Sequence, residues 1–344
     1  MRVMRWTMLL LGCVLLRAEN WPAWRGPAAN GVSKEARAPL RWSKSENVRW
    51  RVELPEPGNS TPIVWNNMIF LTQPKKASGE RLLMCLDRAT GKPLWQATVS
   101  YKEDDPTHAT NFYASASPVT DGERVVVWFG SAGLHAFDMK GKLLWKSDLG
   151  KQRHTWGYAS SPVLDGDHVF LNFGPGERSF VVAVDKKTGK TSWQVNVPAG
   201  TGAKFANWSA EDMYGSWSTP LIVEHQERRQ LVVSHPKVLA AYDPGTGKLL
   251  WSSEGLGDLV YPSPVLAATE SNEAVIVAAS GFQGPSMAVK LGGSGDVTAT
   301  HRLWHQPKSR SLIGTAVVDQ GYAYWIDTTG IAQAMKISNG EVMW

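Results

Sequence analysis

Apolar residues fall in short runs rich in Val, Ile, Phe, Tyr and Trp, broken at regular intervals by Asp-Gly or Thr-Gly-Lys. Runs of this length and composition, bounded by turn residues, predict β-strands. The second such group reads as four strands: Ser117–Thr120, Arg124–Phe129, Leu134–Asp138 and Lys142–Lys146. Asp-Gly suits tight hairpin turns, and the Gly of Thr-Gly-Lys can take the positive φ that a short turn demands. No stretch sustains a helical period over about 12 residues; only a short turn near Ala210–Met213 is expected.

The pattern repeats. A small or apolar pair, Asp, a polar turn, Gly-Lys and a terminal Trp recur as Cys85–Trp95, Ala136–Trp145, Ala183–Trp193 and Ala241–Trp251, with divergent copies from Ala288 to Trp304 and from Ala334 to Trp344. Each copy follows a start of the type Ser/Thr-Pro-apolar-apolar, at Ser60, Ala116, Ser160, Ser218 and Pro262, and in altered form at Gly314. Strict alternation of the two motifs predicts an all-β propeller of four-stranded antiparallel blades. Blades are expected over about 60–95, 115–145, 158–193, 217–251, 261–304 and 314–344. In such blades the recurring Trp95, Trp145, Trp193, Trp251, Trp304 and Trp344 fill the gap against the neighbouring sheet, each indole N–H seeking one carbonyl. Asp87, Asp138, Asp185 and Asp243 are expected to cap their turns, because one per blade leaves them too far apart for a metal or catalytic set.

These AxDxxTGKxxW repeats resemble those of the pyrroloquinoline-quinone (PQQ)-like propeller superfamily. Asn20–Ser33 and Asn47–Pro55 resemble the start of the PQQ-binding-like, or BamB-like, repeat proteins, and the resemblance covers about Trp21 to Trp344. It implies the fold. It leaves open a binding propeller of outer-membrane assembly or a quinoprotein dehydrogenase using PQQ with calcium, because one fold hosts both. The dehydrogenase branch implies a calcium shell of carboxylate and amide oxygens, an Asp base and a vicinal Cys pair, and that pair is absent. Residues 47–53 read as an orphan outer strand, while Glu341–Trp344 begins the outer strand of the sixth unit. The expectation is a chain cut short of seven or eight blades, with a closed six-bladed ring as the alternative.

Composition and charge narrow the remainder. A net charge of +5 without Lys/Arg runs gives no footprint for nucleic acid. Two cysteines exclude a disulfide framework and a Cys-based zinc module. The first five residues carry two arginines, and Trp6–Leu16 is an 11-residue apolar run, which predicts a signal peptide over 1–18 and an exported protein, periplasmic or extracellular. Leu10–Cys13 offers a second reading, a lipoprotein anchored to membrane only through Cys13; an uncleaved anchor is the third. Residues 19–46 read as an N-terminal extension and 47–344 as the propeller.

Residues just before the Ser-Pro starts should line one face around the axis. They include Asn111, Tyr113, His154, Trp156, Tyr158, Tyr214, Trp217, Tyr261 and Arg310. This set suits a protein or peptide partner, or a small-molecule or glycan ligand, but it would equally fill and cap the channel entrance. Few acids accompany it, no His spacing suits a metal, and no GxSxG, P-loop or HExxH occurs. The expectation is a non-enzymatic binding or scaffold propeller without cofactor; a PQQ-dependent oxidoreductase is the alternative.

Overall fold

The computed structural model describes residues 19–35, 38–103, 105–202, 208–310 and 312–344. The leader 1–18, with Cys13, lies outside them. The described chain is a β-propeller of antiparallel blades, as the alternating motifs imply. Blade 1 comprises Ile63–Trp65, Met68–Lys75, Glu80–Asp87 and Pro93–Ser100 in sequential order. Blade 2 comprises Val119–Thr120, Arg124–Trp128, Leu134–Asp138 and Leu143–Ser147, and blades 3, 4 and 5 follow the same order. Blade 6 has Val317–Asp319, Tyr322–Ile326 and Ala332–Lys336, with Trp344 and Met343 bonded back to Ala334 at the outer position.

A local rule builds each blade. The outer Trp sits opposite a small residue of the neighbouring strand: Cys85 faces Trp95, Ala136 faces Trp145, and Ala183 faces Trp193. A bulge follows immediately in each case. The small partner leaves room for the indole on that face. Cys85 is therefore a buried space-filler, and burial pushes its thiol up to about 12, away from reactivity. The Asp ending the third strand caps the turn: Asp185 accepts from the Thr188 amide at 2.7 Å and its hydroxyl at 2.7 Å, which holds its carboxyl below the usual carboxylate range.

Each indole then reaches the next blade. Trp95 donates to the Met139 carbonyl, Trp145 to Lys186, Trp193 to Pro244 and Trp304 to Ile337, at 2.7–3.1 Å. The ring lies on the Gly of the next blade's turn. Gly189 has φ 73°, and a Cβ there would stand 2.6 Å from the Trp145 ring, so this glycine answers both a backbone and a packing demand. Two positions differ from the expected scheme. Trp251 donates to Gln230 of its own blade, because the loop of blade 5 lays Gly295–Asp296 parallel to Trp251–Ser252 where a turn carbonyl would otherwise sit. Trp344 is 63% exposed and touches no further blade among the described residues.

The stretch 47–53 forms no strand, because Val342–Trp344 already occupies the position beside Ala334. Its Trp50 nevertheless donates to the Arg88 carbonyl and lies on Gly91, as an indole from a preceding blade would.

The segment 20–31, expected as part of an extension, is built into the channel. Trp21 exchanges two backbone bonds with Val64 of blade 1, and the Pro22 carbonyl accepts from Thr120 of blade 2. Ala23 packs on the core between blades 2 and 3, and Ala29 on that between blades 4 and 5. The Arg25 guanidinium donates to the Thr315 and Ala316 carbonyls of blade 6. It also holds the Ala29 and Asn30 carbonyls of its own loop. Burial lowers its pKa to about 10, so it stays charged at neutral pH.

Candidate functional site

The Ser/Thr before each strand-opening Pro has a structural reason. The Thr61 amide donates to the Ser117 hydroxyl, Ser117 to Ser161, Ser161 to Thr219, Thr219 to Ser263, and Ser263 to Thr315, at 2.8–3.0 Å. A circumferential chain of amide-to-hydroxyl bonds thus joins all six blades. The Pro that follows lacks an N–H, so the preceding residue supplies the only amide at this corner. Each of these five hydroxyls accepts a bond, and among the described residues none of their protons finds an acceptor.

This chain surrounds an axial cavity of about 690 Å³. Its lining includes Trp24, carried by the channel segment. Its outer wall is aromatic. Trp156 lies 5.8 Å from Trp217, 4.9 Å from Trp208 and 5.8 Å from Phe282, and Trp217 lies 4.9 Å from Tyr261. The Trp217 indole donates to the Gly157 carbonyl at 3.0 Å and is fixed. Phe282 is 54% exposed and open to contact. Asn111 donates to the Trp156 and Tyr158 carbonyls and so ties the blade 2 and blade 3 loops at the rim. The described lining contains no Asp, Glu, Lys or Arg, and its one histidine, His108, bonds to Thr110.

Of the sequence-selected rim residues, Asn111, Trp156, Trp217 and Tyr261 line this cavity. The others do not. Tyr158 is buried against Trp128, its hydroxyl accepting from the Ala114 amide, because the chain turns inward there and the ring fills the blade 2–blade 3 core. Tyr113 covers the buried Arg81–Asp105 pair, with the guanidinium 4.4 Å over its ring. Arg310 pairs with Asp327 at 2.9 Å in a separate depression lined by blades 5 and 6. Tyr214 and His154 line a second cavity of about 640 Å³ between blades 3 and 4.

His154 separates the two cavities. It meets Trp217 edge-on at 5.0 Å, and its Nδ1 accepts from the Trp156 amide. Burial pushes its pKa down to about 4, which keeps it neutral and structural near pH 7. The nearest acid, Asp212, is committed to Thr155 at 2.6 Å and to Ser209. A nucleophile-and-base pair is therefore not assembled by these groups.

Sequence reasoning missed Trp24, Trp208 and Phe282, which lie outside the repeat motifs. The available signal was the tryptophan count: 17 residues exceed what the repeats use.

A family model described as "Outer membrane protein assembly factor BamB" matches residues 40–177 and 177–268. Among solved structures, BamB from Moraxella catarrhalis is similar over 83% of this chain and 71% of its own, at 19% identity and TM-score 0.52. The quinohemoprotein alcohol dehydrogenase from Comamonas testosteroni is similar over 92% of this chain and 52% of its own, at 17% identity and TM-score 0.59. The dehydrogenase subunit of a quinone alcohol dehydrogenase from Komagataeibacter europaeus is 26% identical over 53% of this chain and 26% of its own length. The match thus spans about a quarter of that relative. Likeness to solved structures at these identities establishes the fold and leaves the site chemistry to be argued from the residues.

Proposed function

The chain belongs to the family of the outer-membrane protein assembly factor BamB, and from that premise we propose that it is an exported, non-enzymatic binding propeller that receives its ligand in the axial funnel. The observation that carries this reading is the funnel's chemistry. Partly open aromatic rings converge with hydroxyl and amide groups, and the described lining residues include no carboxylate or cation. Such a surface recognises faces and hydrogen-bonding groups but has no placed acid and base. A protein or peptide segment and a small-molecule or glycan ligand both fall within that chemistry. The leader expected over 1–18 supports export, and the family supports periplasmic or extracellular placement.

The relatives among quinone alcohol dehydrogenases favour a second reading, PQQ-dependent oxidation. The lining residues fit PQQ poorly. A calcium ion needs several carboxylate or carbonyl oxygens, and the quinone's carboxylates need cations. Among the described residues the funnel lining offers neither carboxylate nor Lys/Arg, and no cluster of His, Cys, Asp and Glu could hold a metal. Titration of purified protein with PQQ and calcium, followed by absorbance, tests the choice. The expected result is the free quinone spectrum alone. A calcium-dependent bound-quinone spectrum, with dye-linked alcohol oxidation, would replace the binding reading with the oxidoreductase.

A further inference from the structure

We propose that the ligand of the axial funnel is a neutral carbohydrate of one to a few sugar rings, an inference that rests on the binding reading above. Three independent features converge on it. The first is size: the cavity, with Trp24 in its lining, has a volume of about 690 Å³. That lies within the range of about 300–1,000 Å³ typical of small-ligand clefts, and it is too confined for a folded partner surface.

The second feature is the paired chemistry of its walls. One side presents Trp156, Trp208 and Phe282, whose rings are tilted or edge-on to one another and so expose faces in several directions. Sugar rings bury their C–H faces on such aromatic surfaces. Around the axis the same cavity presents the hydroxyls of Ser117, Ser161, Thr219, Ser263 and Thr315. Each already accepts a backbone amide, so its oxygen position is fixed and its proton remains to be donated. A ring of pre-positioned neutral donors in a cavity that also carries aromatic rings matches a ligand with oxygens around its edge and an apolar face. The third feature is charge. The described lining holds no ionised side chain, so an anionic or cationic ligand would lose hydration without a partner.

The test uses purified full chain and calorimetric titration with a panel of neutral disaccharides and trisaccharides of glucose, galactose and N-acetylglucosamine. Parallel titrations use the corresponding uronic acids and short neutral peptides rich in Pro and Tyr. At least one neutral sugar should bind, its uronic counterpart several-fold more weakly. Trp156→Ala and Phe282→Ala should each weaken binding by about tenfold. Phe282 is half-exposed, so that variant should keep its melting temperature. Neutral sugar binding unchanged in both variants would overturn the site. Trp156-dependent binding of peptides, with no sugar bound, would overturn the ligand class while keeping the funnel as a binding site. Absence of any Trp156-dependent binding would overturn both.

Discussion

Among the described residues, blade 1 and blade 6 each have a face with no neighbouring sheet, and the two faces have different fates. In blade 1, Ile69, Leu71, Leu82, Met84 and Leu86 alternate with the residues packed on blade 2 and form their own buried cluster. The stretch 48–58 runs along this side: Trp50 and Val52 lie on Gly91, Glu56 accepts from the Lys76 amide at 2.6 Å, and Gly58 abuts Gln73. In blade 6 the same alternation sends Ala323, Trp325 and Met335 into the core with blade 5, while Ile326 stays 64% and Trp344 63% exposed. The strand pattern is equivalent; burial depends on whether another segment reaches the face. A propeller blade is two-faced by composition, and its stability belongs to its interfaces.

The comparison is broken most directly at the indoles. Trp145 is 7% exposed and joins blade 2 to blade 3. Trp145→Ala should cost about 3–5 kcal/mol, whereas Trp344→Ala should stay within about 0.5 kcal/mol. Denaturant midpoints of the two variants, read side by side, check this. Equal losses would mean that blade 6 is covered in solution.

A smaller effect comes from pH. His135, His154 and His235, in or beside blades 2, 3 and 4, are each pushed down to about 4 by burial from an ordinary 6.5. The unfolded chain therefore binds more protons between those values. The stability they contribute is complete above pH 6.5 and falls as pH drops towards 4, by on the order of a few kcal/mol in total. Blades 1 and 6 contain no histidine. Hydrogen exchange at pH 7 and pH 5 should show protection lost first in the middle blades, and uniform loss would count against the assignment.

The smallest effect on stability, and a distinct one on association, is expected at Ile326. Ile326→Lys removes apolar surface from the bare face and should leave the melting temperature nearly unchanged, while reducing concentration-dependent self-association in sedimentation. Self-association undiminished by this change would place the sticky surface elsewhere.

Much of the blade architecture is readable from residue order. Asp before the turn, Gly within it, the small residue facing Trp and the Ser/Thr-Pro start are all contacts made within one unit or with the next, so their spacing recurs and betrays them. Asp185 capping Thr188 and Trp145 lying on Gly189 are of this kind. Four of the nine rim candidates also reached the funnel, because position before an inner strand sets a residue near the axis.

What the tertiary structure alone decided lies off the repeat. Arg25 meets Ala316 across 291 residues, and no local pattern marks 20–31 as the segment that threads the channel. Trp208 and Phe282 reach Trp156 from loops of irregular length. Tyr158 and Trp156, two residues apart in one motif, part company: one is sealed under Trp128 and the other opens on the cavity. Sequence repetition encodes contacts between neighbours along the chain, whereas convergence on an axis depends on how six sheets are arranged around it. The architecture was therefore written in the period, and the funnel in the departures from it.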